Sequence, residues 1–109
     1  MNKAERISNH PVNGAGRIIK LAKGQRVKSV SIKCMLDSAN PLLIGWNENA
    51  SVNDYLIPGE SQPYKPDTGN YLDGNEIRLR FGQIDGSAPE PGVNRALVKV
   101  FYEGEENIC

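Results

Sequence analysis

Apolar and polar residues alternate along the most regular stretches of this 109-residue chain, and that period of two restricts it to β structure. In residues 26–36, Val30, Ile32, Cys34 and Leu36 fall on one side, while Ser31, Lys33 and Met35 fall on the other. A strand with one buried face has this pattern. Val27 is one step out of phase, which predicts a bulge near Lys28 and Ser29. Ile77, Leu79 and Phe81 repeat the alternation with Arg78 and Arg80 outward, after a tight turn at Leu72, Asp73, Gly74 and Asn75. Helical period is absent throughout, and so is any internal repeat.

Shorter signals fill in the order. Arg17, Ile18, Ile19, Lys20 and Leu21 form a strand candidate, followed by a turn in which Gly24 is free to take positive φ. Pro41 closes a turn begun at Asp37 and hands the chain to an apolar strand over residues 42–47, where Gly45 permits close backbone approach beside Trp46. Residues 48–75 are mostly turn chemistry, interrupted by Tyr55, Leu56 and Ile57 and by Gln62, Pro63, Tyr64 and Lys65. Functional loops are often drawn from connections of that length. A second loop spans residues 82–94, and a last strand over residues 96–102 runs into an acidic end.

Six or so short strands without helices predict an all-β fold, an antiparallel β-sandwich that is jelly-roll-like. Residues 1–16 are polar, offer little to bury, and read as an N-terminal arm; residues 17–109 then form a single domain. The length suits one core and is too short for two.

Thirteen basic and thirteen acidic residues cancel, so no net field draws the chain to nucleic acid or to an anionic membrane. A mean hydropathy of −0.48 suits a small β domain with long loops. No apolar stretch approaches the roughly 18–20 residues that cross a bilayer. The first residues contain no apolar signal-peptide core, so synthesis in the cytoplasm is expected. Two cysteines do not make a disulfide framework: Cys34 reads as a core residue and Cys109 as an exposed thiol.

Candidate chemistry is sparse, and the reading is that of a protein that is not an enzyme, with no catalytic residues, no metal site and no cofactor. His10 stands beside Pro11 without a cysteine or carboxylate at ligand spacing. Neither Ser8 nor Ser61 lies in a nucleophile-elbow pattern, and a triad would have to recruit that same histidine. Gly14, Ala15, Gly16 and Arg17 lack the lysine of a phosphate loop. Residues 47–58 begin like a calcium loop, but Val52 replaces the turn glycine and Pro58 the bidentate glutamate.

Aromatic residues give the stronger lead. Trp46, Tyr55, Tyr64 and Tyr71 cluster in sequence around the long middle loop, where they would stack on a sugar ring or anchor in a partner. The alternative is that they pin the loop to the sandwich, with Trp46 closing the core.

A resemblance enters at these residues. The valine- and isoleucine-rich strand, the strand containing Leu43, Ile44, Gly45 and Trp46, and the turn Pro58, Gly59, Glu60, Ser61 are followed by residues 76–81 and by Leu97, Val98, Lys99, Val100 and Phe101. Over residues 17–102 this order resembles the small β-sandwich accessory proteins of tailed bacteriophage virions. That resemblance implies a structural protein: a capsid decoration, head-fibre base or tail-associated module, made in the host cytoplasm and located in the virion. Its partners would be the major capsid protein or other virion proteins, and copies of itself, with a trimer favoured. No collagen-like or coiled-coil shaft accompanies the domain, so a long fibre is not expected. The alternative is a carbohydrate-binding, host-receptor module using the tyrosines on a glycan; a cupin-like enzyme would need histidines this chain lacks.

Overall fold

The computed structural model describes residues 4–14, 16–47, 54–66 and 70–105, and among these every regular element is a strand. Eight strands follow in order: β1 (Ala4–Asn13), β2 (Arg17–Lys20), β3 (Val27–Cys34), β4 (Leu42–Trp46), β5 (Asp54–Leu56), β6 (Ser61–Tyr64), β7 (Glu76–Phe81) and β8 (Arg95–Glu105). They form two four-stranded antiparallel sheets, ordered β1-β8-β3-β6 and β2-β7-β4-β5. The first strand pairs with the last, the second with the seventh, the third with the sixth and the fourth with the fifth.

One core lies between the sheets. Val27, Val30, Ile32 and Cys34 of β3 and Val98 and Val100 of β8 expose no surface, and they meet Leu42 and Ile44 of β4 and Ile77 of β7, also fully covered. The alternation read from sequence therefore holds for β3 and β7, where Leu79 and Phe81 are buried as well. The bulge also falls where Val27 predicts it: the β3–β8 register shifts between Val27 and Ser29, which returns Val27 to the inner face.

Two expectations are corrected. The N-terminal arm expected over residues 1–16 is corrected at residues 4–13, which are β1, hydrogen-bonded along β8 with Val12 only 2% exposed. The domain therefore begins well before residue 17. Its inner face reads as polar because Ser8 and His10 point inward beside Val12, and each satisfies the other: Ser8 Oγ lies 2.9 Å from His10 Nε2 and 3.1 Å from Tyr102 Oη. Leu36 is the second correction. It is 79% exposed, since β3 ends at Cys34 and the Ser38 N–H bonds back to the Met35 carbonyl in a turn. The long middle segment holds two short strands, β5 and β6, that turn-rich composition conceals.

Polar side chains fasten each end. Asn40 is fully buried between the β3–β4 turn and the β7–β8 loop. Its Nδ2 donates to the Glu90 carbonyl (2.8 Å) and Asn94 Oδ1 (3.1 Å), and its Oδ1 accepts from Glu90 N–H and Gln83 Nε2, both at 2.7 Å. Its own N–H donates to Asn94 Oδ1 at 3.0 Å. Gly92, at φ 140°, passes so close that a Cβ there would sit 2.8 Å from Ala39 Cβ. Elsewhere the Asp73 carboxylate accepts the N–H groups of Gln25, Arg26 and Val27 at 2.9, 2.9 and 2.7 Å. Burial alone would raise its pKa, yet these bonds and one from Gly24 outweigh that and hold it below the usual carboxylate range. The same bonds offset the cost of Arg26 at φ 59°, a left-handed conformation that a side chain disfavours.

Val12→Asp is expected to cost about 3 kcal/mol or more by burying an unpaired charge, and Asn40→Ala about 2–3 kcal/mol by orphaning its partners. Asn9→Asp, on the outer face, should stay within about 0.5 kcal/mol of the parent. Urea midpoints of the three variants check this; an unchanged midpoint for Val12→Asp would return residues 1–16 to the status of an arm.

Candidate functional site

The four aromatic candidates do not form one platform. Trp46 and Tyr64 turn inward at the same end of the sandwich, with ring centroids 5.4 Å apart and planes inclined by 58°, and both pack against the core. Tyr64 Oη donates to Asp54 Oδ2 at 2.8 Å, a bond that ties β6 of one sheet to β5 of the other. Burial first, then that bond and the Asp54 charge, push the Tyr64 hydroxyl far above its ordinary pKa. These contacts are of the kind that the pinning alternative describes.

Tyr55 stands apart, on the outer face of the second sheet opposite Leu43, and is 45% exposed. Tyr71 precedes the turn before β7, is 43% exposed, and donates its hydroxyl to Glu103 of β8. That hydrogen bond is the main reason its pKa is raised. The resemblance to a calcium loop falls largely on residues outside those described; Asn47 itself bonds the β7 end, its Oδ1 accepting the Glu76 N–H at 3.0 Å and its Nδ2 donating to Asn75 Oδ1 at 3.1 Å. Among the described residues no group of three histidine, cysteine or acidic side chains is arranged to hold a metal ion.

His10 is engaged, not solvent-exposed as a lone residue. Burial chiefly, and the Arg17 charge next, lower its pKa from the usual 6.5. The contact between Ser8 Oγ and His10 Nε2 is the nearest arrangement here to a nucleophile and base. Both residues project from one edge strand two positions apart, and Ser8 Oγ also contacts Tyr102 Oη. The described residues supply His10 with no carboxylate, the group that orients a catalytic imidazole. Their role in the geometry shown is to satisfy one another beneath β1.

What sequence reasoning missed is a surface. The outer face of the first sheet carries Ile7, Asn9 and Pro11 from β1, Leu97, Lys99 and Phe101 from β8, and Ser29, Ser31 and Lys33 from β3, placed side by side by the register. Ile7 is 51% exposed at one end of this face. At the other end Pro11, Leu97, Met35 and Arg95 line a shallow groove that continues past Lys33 to the exposed Leu36. An ion pair between Arg95 and Asp37 stands at its rim. The signal was present in the odd-numbered residues 97, 99 and 101, where Leu97 and Phe101 occupy positions that an outward face normally gives to polar side chains.

No protein-family model matches this chain, and no curated protein matches it.

Two outcomes follow from the buried groups. Burial pushes the Cys34 thiol above its usual pKa, against the hydrogen bonds of Ser38 and the Leu42 backbone. Cys34 is therefore expected to resist alkylation in the folded protein and react once denaturant is added; equal rates in both conditions would refute its burial. His10 makes stability pH-dependent. Because its folded pKa lies below 6.5, acidification protonates the unfolded chain first, so stability falls as pH drops through 6.5 toward the folded value. The melting temperature of His10→Gln should fall less than that of the parent between neutral pH and about pH 5.5.

Proposed function

We propose that this chain is a non-enzymatic structural module of a tailed-bacteriophage virion, a capsid decoration or head or tail accessory protein, that docks on an assembled lattice through the outer face of its first sheet. The observation that carries the reading is the apolar groove of Pro11, Leu97 and Met35 leading to Leu36, which is 79% exposed. An exposed apolar side chain at the end of a groove lined partly by apolar residues has a place for a partner.

The strand order supports the jelly-roll reading. Pairing first with last, second with seventh, third with sixth and fourth with fifth is what results when one long antiparallel ribbon is rolled so that successive pairs alternate between two sheets. Eight-stranded rolls of this kind recur in viral capsid domains, lectins and cupins, an analogy of fold that leaves function to the site. Of those classes, the glycan-binding alternative has less support, because Trp46 and Tyr64 pack against each other and the core while Tyr55 and Tyr71 stand on separate elements. The groove has no such competing role. Many weak contacts to a repeating lattice give high occupancy by avidity, which a modest apolar strip is suited to provide.

Cosedimentation of the full chain with undecorated particles tests the reading. Leu97→Glu and Met35→Glu, both on the outer face, are expected to abolish binding while leaving the melting transition in place, and Tyr55→Ala and Tyr71→Ala to leave binding intact. Binding lost on the tyrosine substitutions, with retention on a glycan array, would replace this reading with the carbohydrate one.

A further inference from the structure

The backbone of β1 has one half that is closed and one half that is open. In a strand the N–H and C=O of a residue point to the same edge, and successive residues alternate between edges. The hydrogen bonds fix which residues point where. Cys34 N–H donates to the Glu60 carbonyl and Cys34 C=O accepts from Gly59, on the β6 side, whereas Met35 N–H donates to the Arg95 carbonyl, on the β8 side. Followed across the register, odd residues of β3 face β8, even residues of β8 face β1, and even residues of β1 face back. The odd residues of β1 therefore direct their backbone groups out of the sheet, at an edge that no strand among the described residues covers.

At Pro11 and Asn13 that edge is blocked. Pro11 has no N–H, and its carbonyl accepts Arg17 Nη1 at 3.0 Å; the Asn13 carbonyl accepts the Gly16 N–H at 2.7 Å. These devices stop another strand from pairing there. Residues 5, 7 and 9 have none of them among the described residues. The remaining edges are short: β2 has four residues, β5 three, and β6 four with Pro63 among them. Among the described residues, an unpaired edge of useful length exists only in the first half of β1.

We propose that this half-edge is where two copies of the chain join, by antiparallel addition of β1 to β1 about a two-fold axis at Ile7. Three features select a second copy as the occupant. The register that opposes Ile7 to Ile7 of the second copy sets Asn9 against residue 5, so that outward groups meet outward groups and both blocked halves fall outside the seam. On the outer face, Ile7 lies opposite Phe101 within its own sheet and is 51% exposed. Joining two copies makes one apolar row, Phe101–Ile7–Ile7–Phe101, of the cross-strand kind that stabilises sheets. The formal net charge is zero, so like copies approach without net repulsion. Such a contact is isologous and closes on itself, giving a dimer whose first sheets form one eight-stranded sheet.

This inference goes beyond the lattice reading and does not depend on it, and its test needs no particles. Sedimentation equilibrium of the full chain over a range of concentrations should show reversible association to twice the 12.0 kDa chain mass. Ile7→Lys places like charges at the axis; Asn9→Pro removes an outward N–H without touching a β8 bond, as an edge position tolerates. Each should weaken association by about tenfold or more while far-ultraviolet circular dichroism stays that of the parent. Amide exchange at residues 7 and 9 should slow as concentration rises, a readout that needs no variant and stands if either substitution impairs folding. A monomer at every concentration, a mass of three copies, exchange at residues 7 and 9 independent of concentration, or association untouched by both folded variants would overturn the proposal.

Discussion

The position of β8 is the constraint on which the rest of this structure depends. The last strand lies between β1 and β3, so its two edges are both hydrogen-bonded and its inner residues Val98 and Val100 expose no surface. Placing it there brings the two ends of the described chain together across the whole sheet, with Ser8 opposite Val100 and Val12 opposite Ala96. Contacts so distant in sequence are paid for in loop-closure entropy before they return any burial. Once β8 is seated, β3 has a partner along its length, β6 can add to the far side of β3, and the inner faces of both sheets have something to cover. Remove β8 and neither β1 nor β3 retains a complete neighbour.

The ends of the two-sheet fold are held by polar groups, which is why the loops can be long. Asn40 gives each of its amide atoms two partners or their equivalent within the β7–β8 loop, and a buried amide so satisfied fixes one loop geometry where an apolar residue would permit several. Asp73 does the same for the β2–β3 turn by receiving three backbone N–H groups. Tyr64 and Asp54, beside Trp46, close the sheets together at a third point. Those side chains are committed to architecture, and the proposed contacts are placed instead on the outer face of the first sheet and the open half of β1.

The strands legible in the sequence were those whose inner residues are apolar: β2, β3, β4, β7 and β8. The first strand was hidden because Ser8 and His10 occupy inward positions, and a pair that satisfies itself removes the period of two that identifies a strand. β5 and β6 were hidden by length, three and four residues amid turn formers, with Pro63 tolerated only because β6 is an edge. Leu36 misled in the opposite direction, since alternation continued two residues past the end of the strand that it described. Asn40 and Asp73 were illegible for a different reason. Their partners lie about fifty residues away in sequence, and nothing local distinguishes an asparagine that will be a hub from one that will cap a turn. Of the candidate site, the residue types were found but not their directions: Trp46 and Tyr64 are half-buried against the core, and of the groove residues Met35, Leu36 and Leu97 were counted as strand and Pro11 as arm.

The central claim is that the first strand and the last are neighbours in one sheet, and nuclear Overhauser contacts test it most directly. In antiparallel pairs that do not exchange hydrogen bonds the α-protons of opposite residues approach closely. The backbone parity makes Asn9 and Lys99, and Pro11 and Leu97, such pairs in β1–β8, and Ile32 and Val98 one in β3–β8. Strong α-proton contacts within all three pairs are the expected result. Contact between Ile32 and Val98 with none from Asn9 or Pro11 to β8, and random-coil shifts over residues 4–13, would contradict the account and leave β8 as an edge strand.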